Sequence, residues 1–340
     1  MSAEPFDTWA GLGIELASES TAEQDESPFV DVAALLSGSL PEPPRPTVAL
    51  RQDGLGLLYA GRVNTLIGDP ECGKTTIAYA AAAETLGRGG KVLFVDVDHN
   101  GAELVLGRLI DFGASVETLS DPNCFRLSEP AESWTLLAAI KESIDWQPTL
   151  AVVDSLGEVV PMLGLNSNLP DDYTTAHRKI LTRLARAGAC VIAIDHLAKG
   201  EESRRRGAGG TLAKLRAVDG VAYRVTLREP FAPGRGGAAG LSIIKDRPGG
   251  VRASSPSTPG AEQPAGVFVV HPGLVGGSAW HISIPTLADL AKPDHDDVAE
   301  LDALDPPPRS VDDVRSRLRW GSDRATLALR AWRVLRDGSR

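Results

Sequence analysis

Residues 66–80 of this 340-residue chain, LIGDPECGKTTIAYA, carry glycines, a lysine and a threonine at a spacing suited to phosphate chemistry. Gly68, Gly73, Lys74 and Thr75 fit the pattern G-x-x-x-x-G-K-[ST]. In such a loop backbone N–H groups converge on phosphates, the lysine reaches the β- and γ-phosphates, and the hydroxyl ligates Mg²⁺. The pattern therefore predicts binding of ATP with Mg²⁺. The predicted nucleotide-binding residues are Gly68, Asp69, Pro70, Glu71, Cys72, Gly73, Lys74, Thr75 and Thr76.

Carboxylates that end two apolar runs are suited to complete this chemistry. Asp154 ends the run LAVVDS, which predicts a second Mg²⁺ contact. Ser155 follows it, so the group that orients or deprotonates water must come from elsewhere. In VLFVDVDHN, Asp96 and Asp98 share one face of a strand because side chains alternate. Asp98 is nearer the C-terminal edge, where parallel sheets bind ligands, so we expect it near the γ-phosphate; the alternative is that both acids cap a loop.

Alternating strands and helices are predicted to position these residues. Short apolar runs, typical of strands buried on both faces, alternate with helical segments up to residue 196. This order predicts a mostly parallel sheet with helices on both sides. After about Gly220 the pattern changes to strands separated by Gly- and Pro-rich turns, which predicts antiparallel hairpins that extend the sheet. The predicted strands are RVNTLIG, KVLFVDVD, CFRLS, LAVVDS, CVIAIDH, VAYRVTL, GLSIIKDR, GVFVVH and AWHISI, and the predicted helices are 74–86, 102–112, 133–144 and 173–187.

The charge of the chain is unevenly distributed. The formal net charge of −10 by itself argues against a nucleic-acid-binding protein. Residues 1–47, however, carry nine acids and one base, whereas residues 309–340 carry nine arginines and four aspartates. An acidic head and a basic tail thus leave a mildly acidic middle, and the whole-chain value does not decide the partner.

The cysteines and the N-terminus indicate the compartment. Cys72, Cys124 and Cys190 form no C-x-x-C pair, which argues against a disulfide framework and against a zinc site. The N-terminal sequence MSAEPFDTWAGLGIELASES is acidic and lacks the apolar region of a signal peptide. No run of about 18 apolar residues is present. We therefore expect a cytoplasmic protein without a membrane span.

Composition predicts four segments. Residues 1–47 read as a flexible acidic segment, 48–285 as the α/β core, and 286–308 as an acidic, proline-rich linker. In the basic tail, 309–340, Ser310 and Ser322 precede two short helical patterns that flank RWGS, which resembles a helix-turn-helix. The alternative for this tail is a helical hairpin that packs on the core or on a neighbouring subunit.

The order of these motifs resembles a known family. The loop, FVDVDHN, VVDS and VIAIDHLAK follow one another as in the RecA-like ATPase core. DGLGLLYAGRVNTLIGDPECGKT, LNSN, IDHLAKG and KDRPG are similar to RepA-like hexameric helicases and their relatives in phages and actinobacteria, over residues 48–285. The resemblance implies an α/β RecA-like fold and an ATP-dependent motor on single-stranded DNA in replication. It also implies a homo-oligomer, either a ring such as a hexamer or a filament, and contacts with other replication proteins.

The resemblance also implies roles for individual residues. The catalytic glutamate of the family falls on Asp98, whose side chain is one methylene shorter. The polar γ-phosphate sensor falls on His196, for which the alternative is an ordinary strand-end histidine. Lys245 and Arg247 match a basic pair that reaches the γ-phosphate of the neighbouring subunit, and their alternative is a surface ion-pair site.

Two segments match the DNA-binding loops of the family. SLGEVVPMLGLNSNLPDDY, after Asp154, takes the place of the first loop, and LAKGEESRRRGAGG takes the place of the second. In the second segment, glycines flank four basic residues that suit contact with a phosphate backbone. These residues are Lys199, Arg204, Arg205 and Arg206. The alternative is a solvated basic turn that Glu201 and Glu202 partly neutralise.

Other functions compatible with the sequence share the core. A RecA-like recombinase would use the same motifs to form filaments on single strands. A slowly hydrolysing, nucleotide-gated DNA-binding or loader protein would fit Asp98 and the helix-turn-helix pattern. A small-molecule kinase fits least, because VVDS and IDHLAKG have no role there.

Overall fold

The computed structural model divides the chain into two units, Met1–Glu42 and Pro43–Arg340. It describes residues 29, 31–37, 44–167, 169–196, 212–258, 262–271, 279–286, 295–321, 324–326, 328–329 and 332–333. In the first unit, helix α1 (Val32–Ser37) has no buried residue. All other elements belong to the second unit.

The elements of the second unit alternate as the sequence predicts. The strands are β1 (Val48–Leu50), β2 (Gly56–Leu58), β3 (Val63–Gly68), β4 (Val92–Asp96), β5 (Phe125–Ser128), β6 (Leu150–Asp154), β7 (Cys190–His196), β8 (Val221–Ala232), β9 (Gly236–Asp246), β10 (Gln263–Val270) and β11 (Trp280–Ile282). The helices are α2 (Lys74–Gly87), α3 (Ala102–Asp111), α4 (Val116–Ser120), α5 (Ser133–Trp146), α6 (Leu156–Met162), α7 (Pro170–His177), α8 (Arg183–Arg186), α9 (Leu212–Ala217), α10 (Gly250–Ala253), α11 (His295–Asp302) and α12 (Val311–Leu318).

Nine strands form one sheet in the order β11-β10-β9-β8-β3-β7-β6-β4-β5. The run from β8 through β3, β7, β6 and β4 to β5 is parallel. The neighbouring pairs from β8 to β11 are antiparallel. The predicted α/β fold, a mostly parallel sheet extended by antiparallel strands, is confirmed.

Helices cover both faces of this sheet because its strands are apolar on both sides. Phe94 on β4 packs with α2 and α3, whereas Leu93 and Val95 on the same strand pack with α5 to α8. Helix α2 is rich in buried alanines, whose small side chains let the helix lie close to the sheet. This close packing fixes the start of α2 at the C-terminal end of β3.

The predicted helix 173–187 is divided in the structure. Helix α7 ends at His177, a π-helical turn spans Arg178–Thr182, and α8 follows. His177 is buried, and its Nδ1 lies 3.2 Å from Oγ1 of Thr182. Short π-helical turns are rare and are often found near functional sites.

A separate apolar cluster lies near the C-terminus. Leu301 on α11 is fully buried with Val314 of α12 and with the side chains of Trp320 and Trp332. The range that the sequence assigns to a linker, 286–308, thus contains helix α11. Its acidic composition conceals this helix, because the apolar side chain that anchors it is surrounded in sequence by aspartates.

No helix in the described part of the chain has both the length and the apolar composition that crossing a bilayer requires.

Candidate nucleotide-binding site

The glycine-rich loop connects β3 to α2 and has the backbone shape that its glycines predict. Gly73 has φ 99°, a left-handed conformation that glycine adopts without strain. A Cβ on Gly68 would lie 2.5 Å from both Sγ of Cys72 and the carbonyl oxygen of Val225. Both glycines are therefore required by the local geometry.

Lys74 lies at the start of α2 and is buried, with its ammonium directed at the loop. Its Nζ donates hydrogen bonds to the carbonyl oxygens of Asp69 at 2.7 Å and Gly68 at 3.0 Å. The ammonium thus lies inside the loop, at the positive end of a 14-residue helix. Both features suit a loop that binds phosphate oxygens.

Thr75 and Asp154 lie in direct contact. Oγ1 of Thr75 donates to Oδ2 of Asp154 at 2.8 Å, across the gap between α2 and the end of β6. Burial is the largest cause that raises the pKa of Asp154, to about 6. The negative charges of Asp98 and Asp96 raise this pKa further, whereas Thr75 and Lys74 oppose the rise.

A hydroxyl and a carboxylate in contact are a donor set that fits Mg²⁺, a hard cation that prefers oxygen ligands. Thr75 and Asp154 are the residues that would hold the ion beside the loop. When bound, Mg²⁺ neutralises phosphate charge.

Asp96 and Asp98 have different surroundings. Asp96 is buried, and its carboxylate accepts hydrogen bonds from the Asn100 side chain at 2.8 Å and from the Gly101 N–H at 2.9 Å. Asp96 therefore caps the loop before α3, which is the alternative role stated above for the two acids. Asp98 is exposed, and its N–H donates to the Asp154 carbonyl at 2.9 Å. A solvated carboxylate thus lies next to Asp154.

His196 ends β7 beside the start of the loop. In the parallel pairing of β3 with β7, Gly68 is opposite His196. The N–H of His196 donates to Oδ1 of Asp195 at 2.8 Å. The predicted phosphate-sensing residue is therefore placed at the same edge of the sheet as the loop.

The fold thus brings five predicted site residues to one edge of the sheet, namely Lys74, Thr75, Asp98, Asp154 and His196. Comparison with known proteins identifies the family of the chain. The AAA domain family AAA_25 matches residues 23–202, more than half of the chain. The chain belongs to this family of AAA domains.

Curated relatives place the AAA domain among RecA-like P-loop ATPases. RecA from a strain of Thermus thermophilus is 28% identical over 190 residues, which are 54% of this chain and 53% of that protein. RecA from Frankia alni is 27% identical over 204 residues, 55% of this chain and 56% of the relative. The chain therefore spans about half the length of the curated relatives it matches. A solved KaiC-like protein from Pyrococcus horikoshii has a TM-score of 0.48 and 16% identity, over 70% of this chain and 98% of the other.

The AAA domain protein contains a buried ion pair that the sequence analysis missed. Lys214 Nζ donates to both carboxylate oxygens of Asp195, at 2.8 and 3.2 Å, and both side chains are buried. The ammonium also lies 5.3 Å from the ring centre of Tyr173. A signal was available, since an aspartate inside the apolar run IAIDH is rarely buried without a partner.

Lys245 and Arg247 lie at the opposite end of the central strands from the nucleotide-binding loop. Asp246, between them, pairs with Val221 at the start of β8, and β8 runs parallel to β3. Nζ of Lys245 donates to the carbonyl oxygens of Leu215 at 2.6 Å, Val218 at 2.7 Å and Arg216 at 3.2 Å, so it caps the end of α9.

Arg247 is exposed. The fold does not bring this basic pair to the loop of its own chain, and its predicted action on a neighbouring subunit stays a prediction.

Phe231 is a further residue at the loop that the sequence analysis missed. A Cβ added to Gly73 would clash with Cε2 of its ring, and one added to Gly237 would lie 2.6 Å from its Cδ1. Phe231 therefore fills the space that these two glycines leave open. Because Phe231 lies near the end of β8, this hairpin packs against the nucleotide-binding loop. No local pattern in the sequence marks this long-range contact.

The predicted DNA-contacting residues Lys199, Arg204, Arg205 and Arg206 lie outside the described residues. The described chain on either side ends with His196 and resumes at Leu212. The place of the first DNA loop, after Asp154, contains helices α6 and α7.

Proposed function

We propose that this AAA domain protein is an ATP-dependent DNA motor, a RepA/DnaB-like helicase that couples ATP hydrolysis to translocation on single-stranded DNA during replication. The contact of Thr75 with Asp154 at 2.8 Å, beside Lys74, carries the ATP-hydrolysing part of the proposal. The coupling to DNA rests on the position of His196, opposite Gly68 and directly before the basic segment.

Each residue has a distinct part in the proposed reaction. Lys74 and the loop amides bind the phosphates, and Thr75 and Asp154 hold Mg²⁺. Asp98 accepts a proton from the attacking water or orients it, since its carboxylate is exposed beside Asp154. The shorter side chain of Asp98, compared with glutamate, predicts slow basal turnover.

The proposed coupling follows the chain from the nucleotide to DNA. His196 senses the γ-phosphate, and Lys199, Arg204, Arg205 and Arg206 contact the phosphate backbone of the strand. Such contacts depend on charge and not on base identity, so binding should weaken steeply with salt.

The proposed assembly is a ring, most simply a hexamer, or a filament. Lys245 and Arg247 lie at the opposite end of the central strands from the loop of their own chain, which supports action on a neighbour. A cation at the γ-phosphate stabilises the charge that develops during transfer. Lys245 would have to leave the carbonyls that it caps in order to act in this way.

ATP turnover by the purified full chain, with and without single-stranded DNA, tests the proposal. We expect single-stranded DNA to stimulate ATP turnover, and Lys74→Ala to abolish turnover. Replacing Arg204, Arg205 and Arg206 by alanine should remove the stimulation by DNA. Turnover that is indifferent to DNA would contradict the motor. Strand displacement on a forked substrate then tests for helicase activity.

A RecA-like recombinase is the second candidate, and the RecA relatives favour it. It predicts strand exchange between homologous DNAs and no displacement on the fork. A nucleotide-gated DNA-binding or loader protein is a third candidate, supported by the aspartate at position 98. It predicts DNA binding that depends on ATP, with turnover that DNA does not accelerate.

A further inference from the structure

The C-terminal residues form a helical unit with a core of its own. Its buried side chains come from α11, from α12, from Trp320 after α12, and from the helical residues 324–326, 328–329 and 332–333. These side chains are Leu301, Val314, Trp320, Ala325, Ala328, Leu329 and Trp332. None of them belongs to the three clusters that contain residues of the sheet. The unit thus has three helical segments around one small core, whereas the sequence predicts two helices in the basic tail.

The second and third helical segments of this unit lie close together in sequence. Helix α12 ends at Leu318, Arg319 follows with φ 56°, and helical residues resume at Arg324. In the third segment, Thr326 and Arg333 are exposed. The buried residues of this segment are Ala325, Ala328, Leu329 and Trp332. A small core shared by three helical segments, the last two separated by only a few residues, is typical of helix-turn-helix modules.

Charge is segregated within the unit. Residues 295–308 contain five acids and no lysine or arginine, whereas residues 309–333 contain seven arginines and three aspartates. An ion pair joins the acidic and the arginine-rich parts, since Nη2 of Arg324 lies 2.6 Å from Oδ1 of Asp297. Arg315 and Arg317 are similarly paired with Asp312 and Asp313.

Three exposed arginines remain without such a partner. In the described chain no carboxylate forms an ion pair with Arg309, Arg319 or Arg333. Arg333 Nη2 donates to the carbonyl oxygen of Arg309 at 2.7 Å, so the start of α12 and the third segment meet there. Arg319 lies at the other end of α12, which at 1.5 Å per residue is roughly 12 Å long. Cations thus flank both ends of this helix.

The surface of the unit favours DNA over protein as its partner. Protein interfaces are built around buried aromatic and aliphatic anchors. Among the described residues of 295–333, no large apolar side chain is exposed. Arginines that lie along a helix without apolar neighbours are instead the footprint of a phosphate backbone.

We propose that residues 295–333 form a duplex-DNA-binding module, with Arg309, Arg319 and Arg333 as phosphate contacts. This site is distinct from the single-strand contacts proposed for residues 199–206, and it requires no nucleotide. It would anchor the chain on a duplex while the AAA domain acts on a single strand.

Fluorescence anisotropy with a labelled duplex of about 30 base pairs and the full chain, without nucleotide, tests the module. We expect the triple variant Arg309→Ala/Arg319→Ala/Arg333→Ala to bind at least about tenfold more weakly. The dependence of log K on log[salt] should become shallower by about 2 to 3, because each phosphate contact contributes about 0.9. Replacing the same residues by lysine should retain most binding, since the charge is kept.

The matched control removes equal charge elsewhere. Arg178, Arg183 and Arg186 are exposed on the segment from α7 to α8. Their triple alanine variant should bind duplex within about twofold of the unaltered chain. The proposal would be overturned if the chain does not bind duplex DNA, or if the two triple alanine variants weaken binding equally. Protein contact would then be the remaining role for this unit. ATP turnover, with and without single-stranded DNA, is measured in parallel, so that failure of the motor is recognised separately.

Discussion

The contact of Thr75 with Asp154 shows how single side chains define this site. Asp154 is buried beside Asp96 and Asp98, and this surrounding raises its pKa to about 6 because the charged form loses solvation. The hydroxyl of Thr75 and the ammonium of Lys74 oppose this rise. The carboxylate is therefore available for a cation close to neutral pH.

Asp98→Asn tests the proposed base. The substitution keeps the size of the side chain and removes its ability to accept a proton, so we expect kcat to fall by about 10² to 10⁴. Nucleotide binding should remain, because in the described chain the Asp98 carboxylate accepts a single long hydrogen bond, from Oγ of Ser155 at 3.5 Å. Single-turnover kinetics and nucleotide titration separate the two effects.

Asp98→Glu is the matched variant for this residue. It supplies the glutamate that the resemblance implies at this position, and we expect it to turn over ATP at least as fast as the natural chain. An Asp98→Asn chain that hydrolyses ATP at the normal rate would show that the base lies elsewhere.

At the scale of elements, one ion pair ties β7 to α9. Asp195 and Lys214 lie on either side of residues 197–211 in sequence, and they meet at 2.8 Å in a buried position. The Asp195 carboxylate also accepts a hydrogen bond from the backbone N–H of His196. The two elements that border the predicted DNA segment are therefore held together directly beside His196, the proposed sensor.

Lys214→Met should destabilise the fold by about 3 to 5 kcal/mol, because it leaves the Asp195 carboxylate buried without its cation. The paired variant Asp195→Asn/Lys214→Met removes both charges and should recover most of this loss. Urea denaturation measures both. A single variant within about 1 kcal/mol of the natural chain would show that the pair is not buried in solution.

His177 gives the fold a pH dependence at the π-helical turn. Burial is the largest cause that lowers its pKa, to about 4, while Asp219 opposes this and Arg178 and Lys245 add to it. The folded state therefore prefers neutral imidazole, whereas the unfolded chain protonates near its usual pKa of 6.5. Stability from this group is present above pH 6.5 and is lost as the pH falls towards 4.

His177→Leu should remove this dependence. Between about pH 7 and pH 5 the natural chain should lose about 2 kcal/mol through this residue, since one pKa unit corresponds to about 1.4 kcal/mol. Urea denaturation of both chains at the two pH values gives the difference. Equal losses in the two chains would mean that His177 is protonated in the folded state.

At the scale of the whole molecule, the C-terminal helical unit and the AAA domain have separate cores. Leu301→Ala tests this separation, because Leu301 is fully buried in the C-terminal cluster. Loss of a buried leucine costs about 2 to 5 kcal/mol, which is large for so small a core. We expect duplex binding to fall while ATP turnover without DNA is retained. Turnover that is lost in parallel would show that the two parts fold as one.

The sequence by itself determined the local parts of this protein. The glycine spacing defined the loop from Gly68 to Thr75, and the apolar runs predicted the sheet strands, with Asp154 at the end of one and Asp98 just after the end of another. These features are predictable because phosphate binding and strand burial each depend on residues that are neighbours in the chain.

Only the tertiary structure decided which distant side chains meet. The folded chain placed Phe231 against Gly73, joined Lys214 to Asp195, and turned Lys245 towards the end of α9. It also packed Leu301 of the acidic segment on the arginine-rich tail. Each contact joins residues well separated in the chain, and local propensity and periodicity carry no information on such pairs. Packing of whole elements selects them, since a buried charge or ring is stable only where another element supplies its partner.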